Sequence, residues 1–228
     1  MQKIGIVGAC GKMGRELVSI CEKDPNIQIV RKITRSHRDL DFPLDMLIDF
    51  SSVTSLLDNL LLAVEKGCPI VIGTTGFKEK DHDLVQKYAK KIPIFYAENF
   101  SLGIAITKKL VQQVYQFFGQ EQTIDISETH HLEKKDKPSG SAIALNKLVD
   151  NKATVISYRR PKVVGNHTIV FSLEEQEIEI AHRAKTRTVF AKGAVECAKF
   201  LHRKPAGLYN MDDYVREING KCLLMSGC

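Results

Sequence analysis

Residues 127–141 read S-E-T-H-H-L-E-K-K-D-K-P-S-G-S. Two adjacent histidines, His130 and His131, stand beside Lys134, Lys135 and Lys137, and a Pro138-Ser139-Gly140-Ser141 turn follows before an apolar run. Histidine is the side chain that trades a proton near neutral pH. Lysines this close attract an anion and favour a neutral imidazole over a charged one. Proline near the start and serine as a cap mark the opening of a helix, whose first N–H groups form a ready carboxylate site. A basic surface loop before a capped helix is the plainer alternative, but a cap needs neither paired histidines nor a lysine cluster. The chemistry predicted is capture of a small anion and delivery of a proton to it.

The elements that would position this segment begin with a nucleotide-binding pattern. Lys3–Val7 is strand-like, Gly8-Ala9-Cys10-Gly11-Lys12-Met13-Gly14 follows at once, and Met13, Leu17, Ile20 and Cys21 recur at helical spacing. Strand, glycine-rich turn and helix is the context in which a backbone approaches a pyrophosphate. The spacing here is G-x-x-G-x-x-G rather than G-x-G-x-x-G. Further strands are expected at Ile27–Ile33, Met46–Phe50, Pro69–Ile72 and Ile92–Tyr96, with a helix over Val53–Val64 and another marked by Leu84, Val85 and Tyr88. Alternation of this kind predicts an α/β, Rossmann-type parallel sheet with ligands beyond the carboxyl ends of its strands. Gly8–Gly14, Gly73-Thr74-Thr75-Gly76 and Ala97-Glu98-Asn99-Phe100 all fall at such ends. After the second strand stand Thr34 and Arg35 in place of the carboxylate that would bind an NAD ribose. Arg35 suits a 2′-phosphate, so NADPH is the expected cofactor and NADH the alternative; a solvated surface charge is the plainer reading of Arg35.

In the second half the pattern changes. Helical periodicity through Ile106, Leu110, Val114 and Phe117 gives way to strands at Thr123–Glu128, Val155–Arg160, Thr168–Phe171 and Glu177–Ala181, with a helix over Ala142–Val149. This predicts a smaller α+β domain with a mixed, open sheet. Across the 228 residues, 43% are hydrophobic and 26% charged, ordinary for a soluble globular protein, and no apolar run approaches the ~20 residues of a membrane span. A cytoplasmic protein without membrane association is expected. The six cysteines are scattered with no C-x-x-C pair, so neither a disulfide framework nor a metal site is expected. Lysines and arginines exceed acidic residues by six but are spread along the chain with few aromatics, which a small anionic ligand explains as well as nucleic acid does.

These residues resemble one family, the 4-hydroxy-tetrahydrodipicolinate (dihydrodipicolinate) reductases. The matching pieces are G-A-C-G-K-M-G-R (8–15), I-D-F-S (48–51), G-T-T-G-F (73–77), N-F-S-L-G (99–103), E-T-H-H-L-E-K-K-D-K-P-S-G-S-A (128–142), V-V-G-N-H-T (163–168) and F-A-K-G-A-V (190–195), in family order. The resemblance implies NAD(P)H-dependent reduction of a cyclic imine dicarboxylate in the diaminopimelate route to lysine. It implies His130 as proton donor, Lys134 as second donor or charge stabiliser, and His131, Gly140 and Ser141 as grips for the substrate carboxylates. Gly8, Ala9, Cys10, Gly11, Lys12, Met13, Thr34, Arg35, Gly73, Thr74, Thr75, Ala97, Glu98, Asn99 and Phe100 match the family's cofactor contacts. A homotetramer built on the smaller domain's sheet is implied too. So is a discontinuous nucleotide domain, 1–101 with 203–228, around a substrate and oligomerisation domain at 102–202. Thr34 replaces the usual acidic residue and Ser141 the usual threonine of the P-S-G-T turn. Pro161 stands where glycine is usual and Glu98 where a small residue is. Two alternatives are another NAD(P)-dependent dehydrogenase, of the aspartate or homoserine type, and a non-catalytic NADPH-binding sensor. The histidine–lysine loop discriminates against the first, which would not need it in this form; the second predicts a free choice of residue at position 130.

Overall fold

The structure is a computed structural model describing residues 1–34, 42–118 and 123–225, with side chains to residue 220. The chain divides into two compact units, Met1–Phe100 with Phe190–Cys228, and Ser101–Val189.

The first unit is a six-stranded parallel sheet in the order β10-β5-β4-β3-β1-β2. Its strands are β1 (Gln2–Val7), β2 (Ile27–Ile33), β3 (Met46–Asp49), β4 (Ile70–Ile72), β5 (Pro93–Tyr96) and β10 (Gly207–Tyr209). The central strands are apolar on both faces because helices cover both. Ile4, Ile6, Met46, Ile48, Val71 and Phe95 point to α1 (Lys12–Cys21) and α6 (Thr188–Leu201). The alternate residues Leu47, Ile70, Ile72 and Ile94 pack against α2 (Leu56–Glu65) and α3 (Glu79–Ala89). Helix α6 carries alanines at 191, 194 and 198, and approaches the chain so closely that a Cβ at Gly193 would collide with the Phe100 carbonyl oxygen. A last helix, α7, spans Met211–Met225.

The second unit is a four-stranded mixed sheet, β7-β6-β8-β9, with β6 parallel to β7 and antiparallel to β8. Its strands are β6 (Thr123–His130), β7 (Thr154–Arg159), β8 (Gly165–Ser172) and β9 (Glu177–Ala184). Alternation on β6 and β8 buries Ile124, Ile126, Ile169 and Phe171 against α4 (Leu102–Phe118) and α5 (Gly140–Lys147).

Most elements lie where the sequence places them with ends shifted by one to three residues, β8 starting at Gly165 and β9 running to Ala184, and two of the shifted boundaries bear on the site. Strand β6 runs to His130 rather than stopping at Glu128, because pairing of Thr129 with Tyr158 and Asn166, and of His130 with Arg159, carries it two residues further. Helix α5 starts at Gly140, since Ser139 caps it by accepting a hydrogen bond from the Ala142 N–H at 3.2 Å. Helix α6 was not anticipated as an element, although its buried face, Ala191, Ala194, Val195, Ala198 and Leu201, recurs at helical spacing. Among the described residues, no helix is long and apolar enough to cross a membrane, and no cluster of His, Cys, Asp and Glu could hold a metal ion.

Candidate active site

In the first unit the carboxyl-end turns are stitched together side by side. Gly8 N–H donates to Ile33 O (3.1 Å), Phe50 N–H to Val7 O (3.1 Å), Gly73 N–H to Asp49 O (2.8 Å) and Ala97 N–H to Ile72 O (3.2 Å). The Phe50 ring lies over Gly73, where a Cβ would strike it, and its centroid is 5.4 Å from that of Phe100. The structure thus brings Gly8–Met13, Gly73–Thr75 and Ala97–Phe100 to one edge of one sheet.

Gly8 has φ +77°, and a side chain there would meet the Phe50 carbonyl. Gly11 N–H returns to Gly8 O at 2.9 Å, and α1 then begins at Lys12 with Gly11 as a cap that offers no side-chain acceptor. A bare turn closing on an uncapped helix start is the shape a pyrophosphate fills. Cys10 is exposed and its carbonyl accepts from Arg15 Nη1 at 2.8 Å; Thr75 and Glu98 are exposed and Asn99 half-buried. Thr74 is buried, its Oγ1 accepting from Ser51 N–H at 3.2 Å. Thr34 lies directly beyond β2, whose last residue Ile33 pairs with Val7. Arg35 lies outside the described residues.

Asp49 was not anticipated here. It is fully buried at the end of β3, and its Oδ1 accepts from Ser51 N–H at 2.9 Å. Burial pushes its carboxyl pKa up, against hydrogen bonds from Ser51, Asn59 and Thr74. The available signal was a lone carboxylate closing the apolar strand M-L-I-D.

The histidine–lysine segment lies in the second unit. His130, only 9% exposed, ends β6 with Nδ1 on Glu128 Oε2, and its ring stands edge-on to His167 at 5.2 Å between centroids. Its pKa is held below the ordinary histidine value. Burial is the largest cause, the Glu128 carboxylate opposes it, and the charges of Lys134, to which the sequence pointed, and of Arg159, to which it did not, lower it further. Lys134 pairs with Asp136 at 2.9 Å, and its N–H closes a turn onto the His131 carbonyl at 3.2 Å. His131 and Ser141 are half-buried and Gly140 is exposed at the first position of α5. Burial acts to raise the Asp136 carboxyl, but hydrogen bonds from Lys134, its own N–H and the Gly140 N–H bring it below the usual range. An internal carboxylate therefore already rests on the lysine and the helix start.

Several buried residues around His130 had no assigned role in the sequence reading. Glu128 is fully buried and accepts from Arg159 Nη1 at 3.0 Å. Burial acts to raise its carboxyl, and hydrogen bonds from Ser157, His130 and Arg159 overcome this and hold it low. His167, 3% exposed, meets Ser139 Oγ at 3.3 Å through Nε2, and burial followed by the charge of His130 pushes its pKa down to about 3. Behind it His182 meets Ser101 Oγ at 3.2 Å, and burial lowers its pKa as well. The period-two alternation of β6 could have placed Glu128 on the face of His130. Nothing local could have placed His167, which reaches it only through the register Glu128↔His167.

A doubly wound parallel sheet with glycine-rich turns on one edge, joined to a unit with a basic histidine loop, defines an oxidoreductase that uses a pyridine nucleotide. Two family models cover the chain: dihydrodipicolinate reductase, N-terminus, over residues 2–44 and 39–100, and dihydrodipicolinate reductase, C-terminus, over residues 103–215. The chain is 37% identical over 244 residues to the 4-hydroxy-tetrahydrodipicolinate reductase of Zymomonas mobilis, covering 92% of this chain and 96% of that one. It is 37% identical over 221 residues to the enzyme of the same name from Bdellovibrio bacteriovorus, covering 92% and 95%. The solved structure of a dipicolinate-bound dihydrodipicolinate reductase from Paenisporosarcina sp. TG-14 shares the fold, with TM-score 0.77 at 21% identity over 92% of this chain and 97% of that one. The chain belongs to the 4-hydroxy-tetrahydrodipicolinate reductase family, oxidoreductases of diaminopimelate and lysine biosynthesis.

Proposed function

We propose that the chain reduces 4-hydroxy-tetrahydrodipicolinate to tetrahydrodipicolinate with NADPH as its preferred donor, and that His130 supplies the proton. A bound NADPH supplies the hydride. The chain's own residues then have three tasks. Gly8–Met13, Gly73–Thr75 and Ala97–Phe100 bind the dinucleotide, with Thr34 and Arg35 reading its 2′-phosphate in place of the ribose-binding carboxylate of NAD enzymes. Lys134, His131 and the Gly140-Ser141 turn hold the two substrate carboxylates. The His130 imidazolium releases a proton and returns to the neutral form, which its burial favours.

The observation that carries this reading is Asp136. Its carboxylate sits on Lys134 at 2.9 Å and bonds the Gly140 N–H, the same donors that a substrate carboxylate would require. The outward face of β7, with Ile156 and Tyr158 each 45% exposed, is where we place the subunit contacts of a homotetramer.

Loss of nicotinamide absorbance with freshly generated substrate tests the reading directly. His130→Gln is expected to lower kcat by ~10²–10⁴-fold, the usual contribution of a positioned acid, while NADPH affinity stays unchanged. Full turnover by that variant would overturn the role of His130. Arg35→Ala is expected to raise KM for NADPH relative to NADH; an unchanged ratio would end the 2′-phosphate assignment.

A further inference from the structure

Glu128 and His130 are two residues apart on β6 and so share one face of the strand. Glu128 Oε2 meets His130 Nδ1. Its other oxygen, Oε1, accepts from Arg159 Nη1 at 3.0 Å and from the Ser139 N–H at 3.3 Å. Arg159 ends β7 and is the register partner of His130. Its remaining donors go to backbone carbonyls: Nε to Lys134 at 3.2 Å, Nη2 to Asp136, and Nη1 again to Tyr158 at 2.7 Å. One buried ion pair therefore has His130 at one end and the lysine-bearing loop at the other.

Stability alone does not account for such a pair, because desolvating two charges offsets most of their attraction. Geometry accounts for it better. A carboxylate at Nδ1 fixes the Nδ1–H tautomer and leaves Nε2 as the nitrogen that exchanges its proton. Nε2 faces Gly165, where a Cβ would stand 3.0 Å away, so the glycine leaves room at that edge of the ring. The guanidinium fork, with donors in fixed directions, holds two carbonyls of the loop and a carboxylate at once.

We propose that Glu128 and Arg159 are positioning residues of this reaction, Glu128 fixing His130 so that Nε2 delivers the proton and Arg159 locking the Lys134 loop in register with it. The proposal rests on the reading of His130 as proton donor. In each turnover Nε2 loses one proton to the substrate and regains one from solvent, while Glu128 stays ionised and the Nδ1–H stays in place. The charged and titratable groups around His130 are Glu128 on β6, Arg159 on β7, Lys134 with its partner Asp136 in the loop, and His167 on β8 with His182 of β9 behind it.

The test is the pH profile of kcat/KM, which reports the free enzyme, for the full chain and three variants. An imidazolium donor gives a limb that falls as pH rises. Glu128→Gln removes the charge that stabilises the imidazolium, so the limb is expected to move about one to three units lower. Rates on its low-pH plateau are expected to fall ~10–100-fold. Arg159→Lys keeps the charge and loses the fork, so the limb stays while KM for the dicarboxylate rises about tenfold and KM for NADPH does not change. His130→Gln separates the two levels of inference: if it retains the wild-type rate and limb, the donor assignment fails. If His130→Gln abolishes the limb but Glu128→Gln leaves it in place, the positioning role of Glu128 is overturned. An unchanged substrate KM in Arg159→Lys overturns that of Arg159. Should Glu128→Gln not fold, ¹⁵N-histidine spectra of the intact protein decide. Neutral His130 is expected protonated at Nδ1, and protonation at Nε2 instead would overturn the proposal.

Discussion

The buried ring of His167 gives the stability of this protein a built-in acid sensitivity. Burial and the neighbouring charge of His130 push its pKa from the ordinary 6.5 down to about 3 in the folded chain. The unfolded chain, with the ordinary value, therefore binds more protons at every pH between these two. Stability is full above about pH 6.5 and declines as pH falls, until the folded ring itself protonates. Each pH unit inside the window is worth about 1.36 kcal/mol. Going down to pH 4.5, two units below 6.5, should thus remove about 2.7 kcal/mol through this one side chain. His130 and His182 are also held low by burial and act in the same direction. Asp49, pushed up, acts in the opposite one, and the low carboxyl of Glu128 contributes only nearer the ordinary glutamate value of 4.5. Only a substitution isolates His167. Gln at this position cannot titrate and can still accept from Ser139 Oγ. Denaturant unfolding followed by circular dichroism at pH 7 and pH 4.5 should show the wild type losing about 2.7 kcal/mol more than His167→Gln. Parallel losses in the two proteins would refute the reasoning, because the ring would then gain and lose its proton alike in both states.

Two further outcomes test the nucleotide edge. Gly8→Ala forces a side chain into a φ of +77° and against the Phe50 carbonyl, a strain of ~1–3 kcal/mol; fluorescence titration should show NADPH binding weakened about tenfold or more, and an unaltered Kd would remove the turn from the binding site. Gly193→Ala sets a methyl against the Phe100 carbonyl oxygen, so the thermal midpoint should drop by the equivalent of ~1–3 kcal/mol of overpacking while KM for NADPH rises, since Phe100 ends one of the three turns.

The core of the parallel sheet was readable because its central strands carry a local signal, short apolar runs spaced by amphipathic helices, with glycine turns after β1 and β4; β10 carries less of it. Gly8, Gly73 and Ala97 fall on one edge because parallel strands all end in the same direction, so order along the chain became adjacency in space. Asp49, Glu128, Arg159 and His167 were not readable in the same way. Period-two alternation on β6 could place Glu128 on the face of His130, but which partners reach a buried carboxylate or imidazole from other strands is chosen by register. Arg159 reaches Glu128 only because β6 and β7 run parallel with His130 opposite Arg159, and His167 arrives from an antiparallel strand. The histidine pair and the lysines declared themselves by composition; the groups that hold them are identifiable only once the sheet is assembled.

Placing His130 at the end of a strand rather than in a loop changes what the site can do. Three neighbouring strands fix three of its contacts: Glu128 on its own strand, Arg159 on β7 and His167 on β8. A group so supported keeps its direction when the rest of the site moves, which is what proton delivery to a defined atom requires. The segment from His131 to Ser139 has the opposite character. Its lysine is held by an internal carboxylate that is 56% exposed, and a substrate carboxylate can displace that partner at small cost, because an exposed ion pair contributes at most ~1 kcal/mol. In the proposed reading the rigid acid and the exchangeable anion grip are thus separated along a dozen residues, and Arg159, bonded to Glu128 behind the one and to the Lys134 and Asp136 carbonyls of the other, is the side chain that would keep them in register.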